Sequence, residues 1–161
     1  MSDVVITKAT EADFEAICGI FHGVTEPGDS YIYPENFSPE DIRTWMHDAT
    51  TYVAKIGMEV VGIYLIRKNR IGRGSHVCNA AYMVKPSHQG KKIGRMMGEH
   101  SLIEAKKMGY LAMQFNIVVS TNIRAVNLWK SLGFNIVGTV PKAFNHKEKG
   151  LVDAYVMHQF L

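Results

Sequence analysis

Cysteine is nearly absent: Cys18 and Cys78 are the only two, and each is embedded in apolar sequence. A disulfide-stapled secreted scaffold is therefore excluded, and the default reading is a pair of free thiols in a reducing compartment. No second Cys or His stands at ligand spacing to either, so no metal site is expected. Long hydrophobic runs are missing as well, none approaching the roughly 18 apolar residues that a membrane span needs. The segment Met1-Ser2-Asp3-Val4-Val5 lacks a basic run followed by an apolar stretch, so a secretory signal is not expected. A cytoplasmic, soluble protein is the expectation. An excess of one charge is also lacking: 18 basic against 15 acidic residues leave a formal charge of +3. That balance is too mild to call for a nucleic-acid or membrane partner. Internal repeats and low-complexity tracts are absent too.

What is present is an ordinary globular balance, 47% hydrophobic and 20% charged over 161 residues, which suits one domain spanning 1–161. Val4-Val5-Ile6-Thr7 reads as a strand, and Thr10 caps a helix reaching about His22. Residues 23–37 are dense in Gly, Pro, Asp and aromatics and read as a structured loop. Ser38-Pro39-Glu40-Asp41 then supplies an N-cap, a first-turn proline and dipole-compensating acids for a second helix. Tyr52 to Ile56 and Val60 to Ile66, around Gly57-Met58, form a hairpin. His76 to Val84 is a third consecutive strand with a central place, and Pro86 ends it.

Ile93, Met96, Met97 and Ile103 are placed on one face of a helix running to Lys107 and closed by Gly109. Leu111 to Val119 is the next strand. Ala125, Leu128, Trp129 and Leu132 make an i, i+3, i+4, i+7 stripe on a further helix ended by Gly133. Phe134 to Val137 resumes β structure, and Leu151 to Leu161 is the closing strand. The predicted order is βααβββαβαββ. Hairpins first and strand-helix-strand units later predict an α/β fold with a mixed sheet and helices on both faces. The switch falls between Tyr82 and Arg95, and a ligand crevice is expected beside a strand end at such a switch.

The chemistry-bearing segment is Gln89-Gly90-Lys91-Lys92-Ile93-Gly94-Arg95, between that strand and helix. Backbone N–H groups at a helix N-terminus, with Lys91, Lys92 and Arg95 beside them, suit a pyrophosphate. An ordinary strand-to-helix turn with surface lysines is the competing reading. Neither G-x-x-x-x-G-K-[ST] nor G-x-G-x-x-G is present, which disfavours a P-loop or a dinucleotide fingerprint.

Val84 to Arg95 resembles the (R/Q)-x-x-G-x-(G/A) signature of the GNAT (GCN5-related) N-acetyltransferases at Gln89 and Gly94, departing from it at Lys92, where glycine is usual. Asn122 to Phe134 resembles the second motif of the same superfamily, N-x-x-A-x-x-L-(Y/W)-x-x-x-G-F. The resemblance implies that strands 4 and 5 splay apart around acetyl-CoA. Met83 and Val84 would then pair with the pantetheine arm, Gly90, Lys91, Lys92, Ile93, Gly94 and Arg95 would wrap the pyrophosphate with Gln89, and Asn122 would bond the cofactor. It also implies a homodimer and no metal. A finer resemblance, through Asn79, Asn116 and Asn122, is to acetyltransferases of proline analogues such as azetidine-2-carboxylate, near the phosphinothricin branch.

The acid/base pair common in the superfamily is missing. Trp129 stands near the place of its usual tyrosine and reads as core packing, and the fourth strand has no Asp or Glu. Asn116, inside an apolar run, needs a partner, either a structural bond across the splayed strands or the substrate. Direct attack of an amine on acetyl-CoA is expected, with Asn79 and Asn116 positioning substrate and oxyanion and with proton removal through water, assisted by Glu26 or Tyr82. Asp29 shares the Glu26 loop, where Tyr31 and Tyr33 either line the acceptor pocket or pin the loop. His76, His88, His100 and His146 have no visible partner and read as structural or exposed. The acceptor is a small-molecule amine, an amino acid or its analogue. The alternatives are protein N-termini or lysines, which need an open peptide groove, and a non-catalytic acetyl-CoA-binding module.

Overall fold

The computed structural model describes residues 3–161; Met1 and Ser2, on which the leader reading partly rests, lie outside the described residues. The order is β1 (Val4–Lys8), α1 (Phe14–Thr25), α2 (Pro39–Met46), β2 (Thr50–Ile56), β3 (Glu59–Lys68), β4 (Val77–Val84), α3 (Ile93–Lys107), β5 (Ala112–Val119), α4 (Ile123–Ser131), β6 (Asn135–His146) and β7 (Gly150–Phe160). This is the order that periodicity and punctuation predict. Short 3-10 turns at Glu11–Asp13, Gly72–Gly74 and Pro86–His88 are the additions.

The strands form one mixed sheet in the order β1-β2-β3-β4-β5-β7-β6. β1 to β4 are antiparallel neighbours, β1 and β2 joined through α1 and α2 and β2 to β4 through short turns, whereas β4 and β5 are parallel and joined by the α3 crossover. Two apolar layers result. Tyr64, Tyr82, Met97, Phe115 and Trp129 pack between the sheet, α3 and α4. Ile17, Phe21, Ile42, Trp45 and Met83 pack between the other face, α1 and α2. β4 alternates between these layers, Cys78 and Tyr82 entering the first and Met83 the second, which explains why its sequence reads as almost continuously apolar.

Local chemistry explains the helix boundaries. Ser38 Oγ accepts from the Asp41 amide at 3.1 Å and Asp41 Oδ2 accepts from the Ser38 amide at 2.8 Å, a reciprocal box that starts α2. Asn122 Oδ1 accepts from the Ala125 amide at 3.3 Å and starts α4. Two sequence expectations are corrected. Ile103 is 56% exposed, and the buried face of α3 is instead Ile93, Met97, Gly98, Ser101 and Ala105, because about 100° per residue turns position 103 off that face. β6 runs to His146, far past Val137, despite Pro141. Its pairing with β7 breaks between Val140 and Phe144, and Lys142 there has φ 52° and gives its amide to Asp153 Oδ1 at 3.0 Å. A bulge tolerates a residue that cannot donate to the ladder.

β4 and β5 hold together only at Val77↔Ala112 and Cys78↔Met113, and then separate. β5 loses register with β7 between Phe115 and Val118, a bulge that bends the strand as the two diverge. On the α3 side, the helices flanking this divergence approach closely at Gly98, where a Cβ would sit 2.6 Å from Leu132 Cδ1 and 3.2 Å from Trp129 Cζ3. Gly98→Val is expected to destabilise the protein by about 1–3 kcal/mol through overpacking, read as a lower denaturation midpoint at unchanged m.

Candidate functional site

The separation of β4 from β5 opens a cleft of 1390 Å³, bounded by the starts of α3 and α4, the α1–α2 loop and the β6–β7 turn. It lies at the expected switch from hairpin to crossover. Three regions follow from the chemistry of its walls.

The first is the start of α3. Met96 is the first amide to bond within the helix, to the Lys92 carbonyl at 3.0 Å, which leaves the N–H groups of Ile93, Gly94 and Arg95 without a helical partner. Lys92 stands at the N-cap but its side chain makes no cap bond, unlike Ser38 and Asn122. These free donors meet the positive end of a helix of 15 residues. Lys92, Arg95 and Arg124 line the cleft around them. Arg95 is partly engaged, with Glu99 at 3.3 Å and Ser131 Oγ at 2.6 Å, whereas Lys92 and Arg124 make no ion pair among the described residues. Gly90 has φ 81°, so the turn favours glycine for its conformation, and a Cβ there would lie 3.2 Å from the mobile end of Arg124, at Nη2. Lys92 has φ 63° with a Cβ, a strained conformation that a glycine would adopt freely. The set suits a ligand bearing a diphosphate.

The second region is the open edge of β4. The Lys85 amide bonds the Val61 carbonyl on β3 at 2.8 Å, and the His76 carbonyl accepts from Leu111, at the start of β5, at 2.9 Å. The register in between is unbroken. Alternation therefore turns the amide and carbonyl of Tyr82 and Val84 toward the cleft, and those of Met83 toward β3. Val84 is placed to pair with an extended ligand; Met83 also lines the cleft, but its amide and carbonyl are turned to Ile63 on β3. The Tyr31 hydroxyl occupies the Tyr82 position, donating to its carbonyl and accepting from its amide at 3.1 Å. Burial pushes the Tyr31 hydroxyl well above its ordinary range, so it stays protonated as that donor.

The third region lies on the α1 side. Asn79 and Asn116 are both half-buried and line the cleft. Asn116 Nδ2 donates to Asn69 Oδ1 at 2.8 Å and its Oδ1 accepts from Gln114 Nε2 at 3.1 Å, so a structural network holds it, with one amide hydrogen to spare. Asn79 has no side-chain partner and is not sealed from solvent. Asp29, Tyr31, Tyr33, His146, Lys147, Glu148 and Lys149 complete the walls.

Several sequence-predicted residues fall together, and others do not. Val84, Gln89, Gly90, Lys92, Ile93, Gly94, Arg95 and Asn122 all line the cleft. Asn122 spends Oδ1 on its cap, leaving Nδ2 for a ligand. Lys91 is exposed and outside the lining. Glu26 is also exposed and outside it. The Tyr82 hydroxyl points into the core, 2.6 Å from Ser101 Oγ, which itself donates to the Gly98 carbonyl at 2.7 Å. Burial raises the Tyr82 hydroxyl far above the tyrosine range. Neither Glu26 nor Tyr82 is placed for a proton relay. Trp129 packs on Tyr82 and Phe115 at centroid distances of 4.6 and 4.8 Å, as core.

Sequence reasoning missed Arg124, which sits inside the second motif, and Glu148, which gives the cleft a carboxylate besides Asp29. It also missed Lys147, which ties two loops together. The Lys147 amide donates to the Gly28 carbonyl at 3.0 Å, while Nζ reaches Glu35 Oε1 at 2.5 Å and the Glu26 carbonyl at 3.5 Å. The α1–α2 loop is thereby clasped to the β6–β7 turn. Trp45 Nε1 donates to Tyr33 Oη at 2.7 Å and Phe37 stacks on Phe21 at 5.4 Å, which pins the same loop to α1 and α2.

Residues 23–134 match the profile described as "Acetyltransferase (GNAT) family". A solved GCN5-related N-acetyltransferase from Kribbella flavida shares 36% identity with a TM-score of 0.93, covering 98% of each chain. The N-acetyltransferase aca1 of Schizosaccharomyces pombe is 39% identical over 98 residues, which span 60% of this chain and 47% of that one, so the match takes in about half the length of that relative. A phosphinothricin acetyltransferase from Sinorhizobium meliloti, solved in complex with AcCoA, shares the fold at TM-score 0.89 and 17% identity, over 100% of this chain and 89% of that one.

Lys92→Gly separates strain from charge at the α3 start. It is expected to stabilise the fold by about 0.5–1 kcal/mol, measured by chemical denaturation. The same substitution is expected to weaken acetyl-CoA binding about ten-fold in calorimetric titration, through loss of a cation beside the free amides.

Proposed function

The chain belongs to the GNAT acetyltransferase family, and from that premise we propose that it transfers the acetyl group of acetyl-CoA directly to the amine of a small amino acid or amino-acid analogue. The diphosphate of the donor would rest on the free amides of Ile93, Gly94 and Arg95, with Lys92, Arg95 and Arg124 supplying opposite charge. Val84 offers its backbone amide and carbonyl to the extended arm, displacing no strand partner. Asn122 Nδ2 is free to bond the same ligand.

Transfer forms a bond from the amine nitrogen to the thioester carbon and breaks the carbon–sulfur bond, while the amine gives up a proton and the thiolate gains one. Asn79 and the remaining Asn116 hydrogen provide polarised N–H donors on the acceptor side, where negative charge develops on oxygen. Asn69 and Gln114 fix the Asn116 orientation, so little reorganisation accompanies the step. The carboxylates in the cleft wall are Asp29 and Glu148, and water passing between them and the acceptor serves as the proton route.

The observation that favours a small acceptor is the Lys147 clasp. An extended polypeptide needs an open groove between the α1–α2 loop and the β6–β7 turn. Here a backbone hydrogen bond and an ion pair bridge that gap. The small amino-acid acceptor also agrees with what the name of the Sinorhizobium meliloti relative says of that protein.

CoA release measured over a panel of amino acids, polyamines and peptides tests this reading. Turnover is expected on amino acids or their cyclic analogues; turnover on peptides alone overturns it, and binding of acetyl-CoA without release on any acceptor points to the binding module. On the best acceptor, Asn79→Ala and Asn116→Ala are each expected to lower turnover on the order of 100–1000-fold. Near-wild-type turnover in both removes the amides from the mechanism.

A further inference from the structure

His146 is 7% exposed at the end of β6, and it lines the acceptor side of the cleft. Its Nδ1 accepts two backbone hydrogen bonds from the turn it precedes, from the Glu148 amide at 3.1 Å and the Lys149 amide at 3.2 Å. An imidazole nitrogen that accepts N–H groups carries no proton, so the neutral ring holds its proton on Nε2. Nε2 makes no hydrogen bond among the described residues, and no polar side-chain atom there is both sealed from solvent and without a partner. The side chain is thus almost wholly buried, held in one tautomer by the turn, and left with a single donor that is not sealed from solvent, on a residue that lines the cleft.

That arrangement rules out one role and favours another. Nε2 cannot take a proton from the acceptor amine because it already bears one, and Nδ1 is committed to the turn. What remains is a neutral, oriented N–H donor. Lys149, whose amide helps to fix the ring, also lines the cleft and has no ion-pair partner among the described residues, whereas Lys147 is paired with Glu35 at 2.5 Å. Asp29 and Glu148 supply negative charge in the same walls. A ligand with a carboxylate for His146 and Lys149, and an amine for Asp29 and Glu148, matches this distribution.

We propose that His146 Nε2–H, supported by the Lys149 ammonium, recognises the α-carboxylate of a zwitterionic acceptor and makes His146 a specificity-determining residue. The inference rests on the small-acceptor reading above and names the feature of the acceptor that the site selects. The turn supplies the logic of the pair: the same two amides that commit Nδ1 set the ring plane and aim Nε2. Carboxylate recognition is thus built into a hairpin that would otherwise only need a cap.

The full-length protein, saturated with coenzyme A and labelled with ¹⁵N in its histidine rings, tests this with N-acetylglycine and N-acetylglycinamide as probes. The carboxylate probe is expected to shift the Nε2 resonance of His146 saturably, and the amide probe to bind on the order of 10–100-fold more weakly. His146→Asn keeps an acceptor for the turn amides but removes the cleft donor. It should bring carboxylate affinity down to the amide level with little change in melting temperature. His146→Gln keeps a donor near the Nε2 position and loses the turn acceptor, so it should retain discrimination at a lower melting temperature. Equal response to both probes, response to neither, or unchanged discrimination in His146→Asn overturns the proposal. These titrations need no turnover: if the CoA-release panel finds no small acceptor, the proposed function falls, while the probes still decide the role of His146.

Discussion

Everything in this protein that bears on chemistry depends on β4 parting from β5 after two residue pairs. A central strand that loses its neighbour exposes backbone donors and acceptors that folding would otherwise satisfy, and buried groups of this kind are costly when left alone. The fold meets that cost from two directions. Val77 and Cys78 keep β4 anchored to β5 at one end, and the Tyr31 hydroxyl, brought in by the α1–α2 loop, satisfies the amide and carbonyl of Tyr82 further along. The edge that remains, at Val84, stands next to the start of α3. An open strand edge and an open helix end are thus adjacent, two surfaces that each offer backbone hydrogen bonds to an extended, phosphate-bearing ligand.

The helices show the same division between structure and ligand. α2 and α4 close their N-termini with Ser38 and Asn122, whereas α3 leaves its first amides free and places a strained lysine at the cap. Using Lys92 rather than glycine costs conformational energy and gains a cation at the point where the free amides converge. Gly98 and Ser101 serve the opposite end of this economy. They are small, they let α3 approach α4 and accept the Tyr82 hydroxyl, and they keep that tyrosine in the core and away from proton transfer.

On the other side of the sheet the site is assembled from loops, and polar ties hold it. Lys147 joins the β6–β7 turn to Gly28, Glu26 and Glu35, and His146 fixes the turn from within. The exposed Lys147–Glu35 pair contributes little by itself. Its effect is geometric, because together with the Gly28 backbone bond it joins the two loops whose separation sets how large an acceptor can enter. Asn116 sits between Asn69 and Gln114 in a network that orients its amide and leaves one amide hydrogen unspent.

The element order, the cap of α2 and the glycine-bearing turn between β4 and α3 were legible in the sequence, because each rests on short-range rules, whereas Thr10 caps the short turn at Glu11–Asp13 and not α1 itself. Periodicity assigns most faces, Ser-Pro-Glu-Asp starts a helix, and a glycine-bearing turn between a strand and a helix aims amides at one point whatever surrounds it. The acceptor end was not legible in this way. Pro141 hid the second half of β6 until pairing with β7 and a bulge made it a strand, and only then does His146 reach the cleft. Tyr82 read as a candidate for proton transfer because the sequence does not show which face of β4 its hydroxyl meets; the sheet register turns it to Ser101. The sequence by itself determined where the glycine-bearing turn with its free helix-start amides lies, since that depends on residues within a few positions of one another. Only the tertiary structure decided which residues meet at the far end of the cleft, because Lys147 and Gly28 come from two loops far apart in the chain, and Asn116 on β5 meets Asn69 of the β3–β4 connection only once the sheet is assembled.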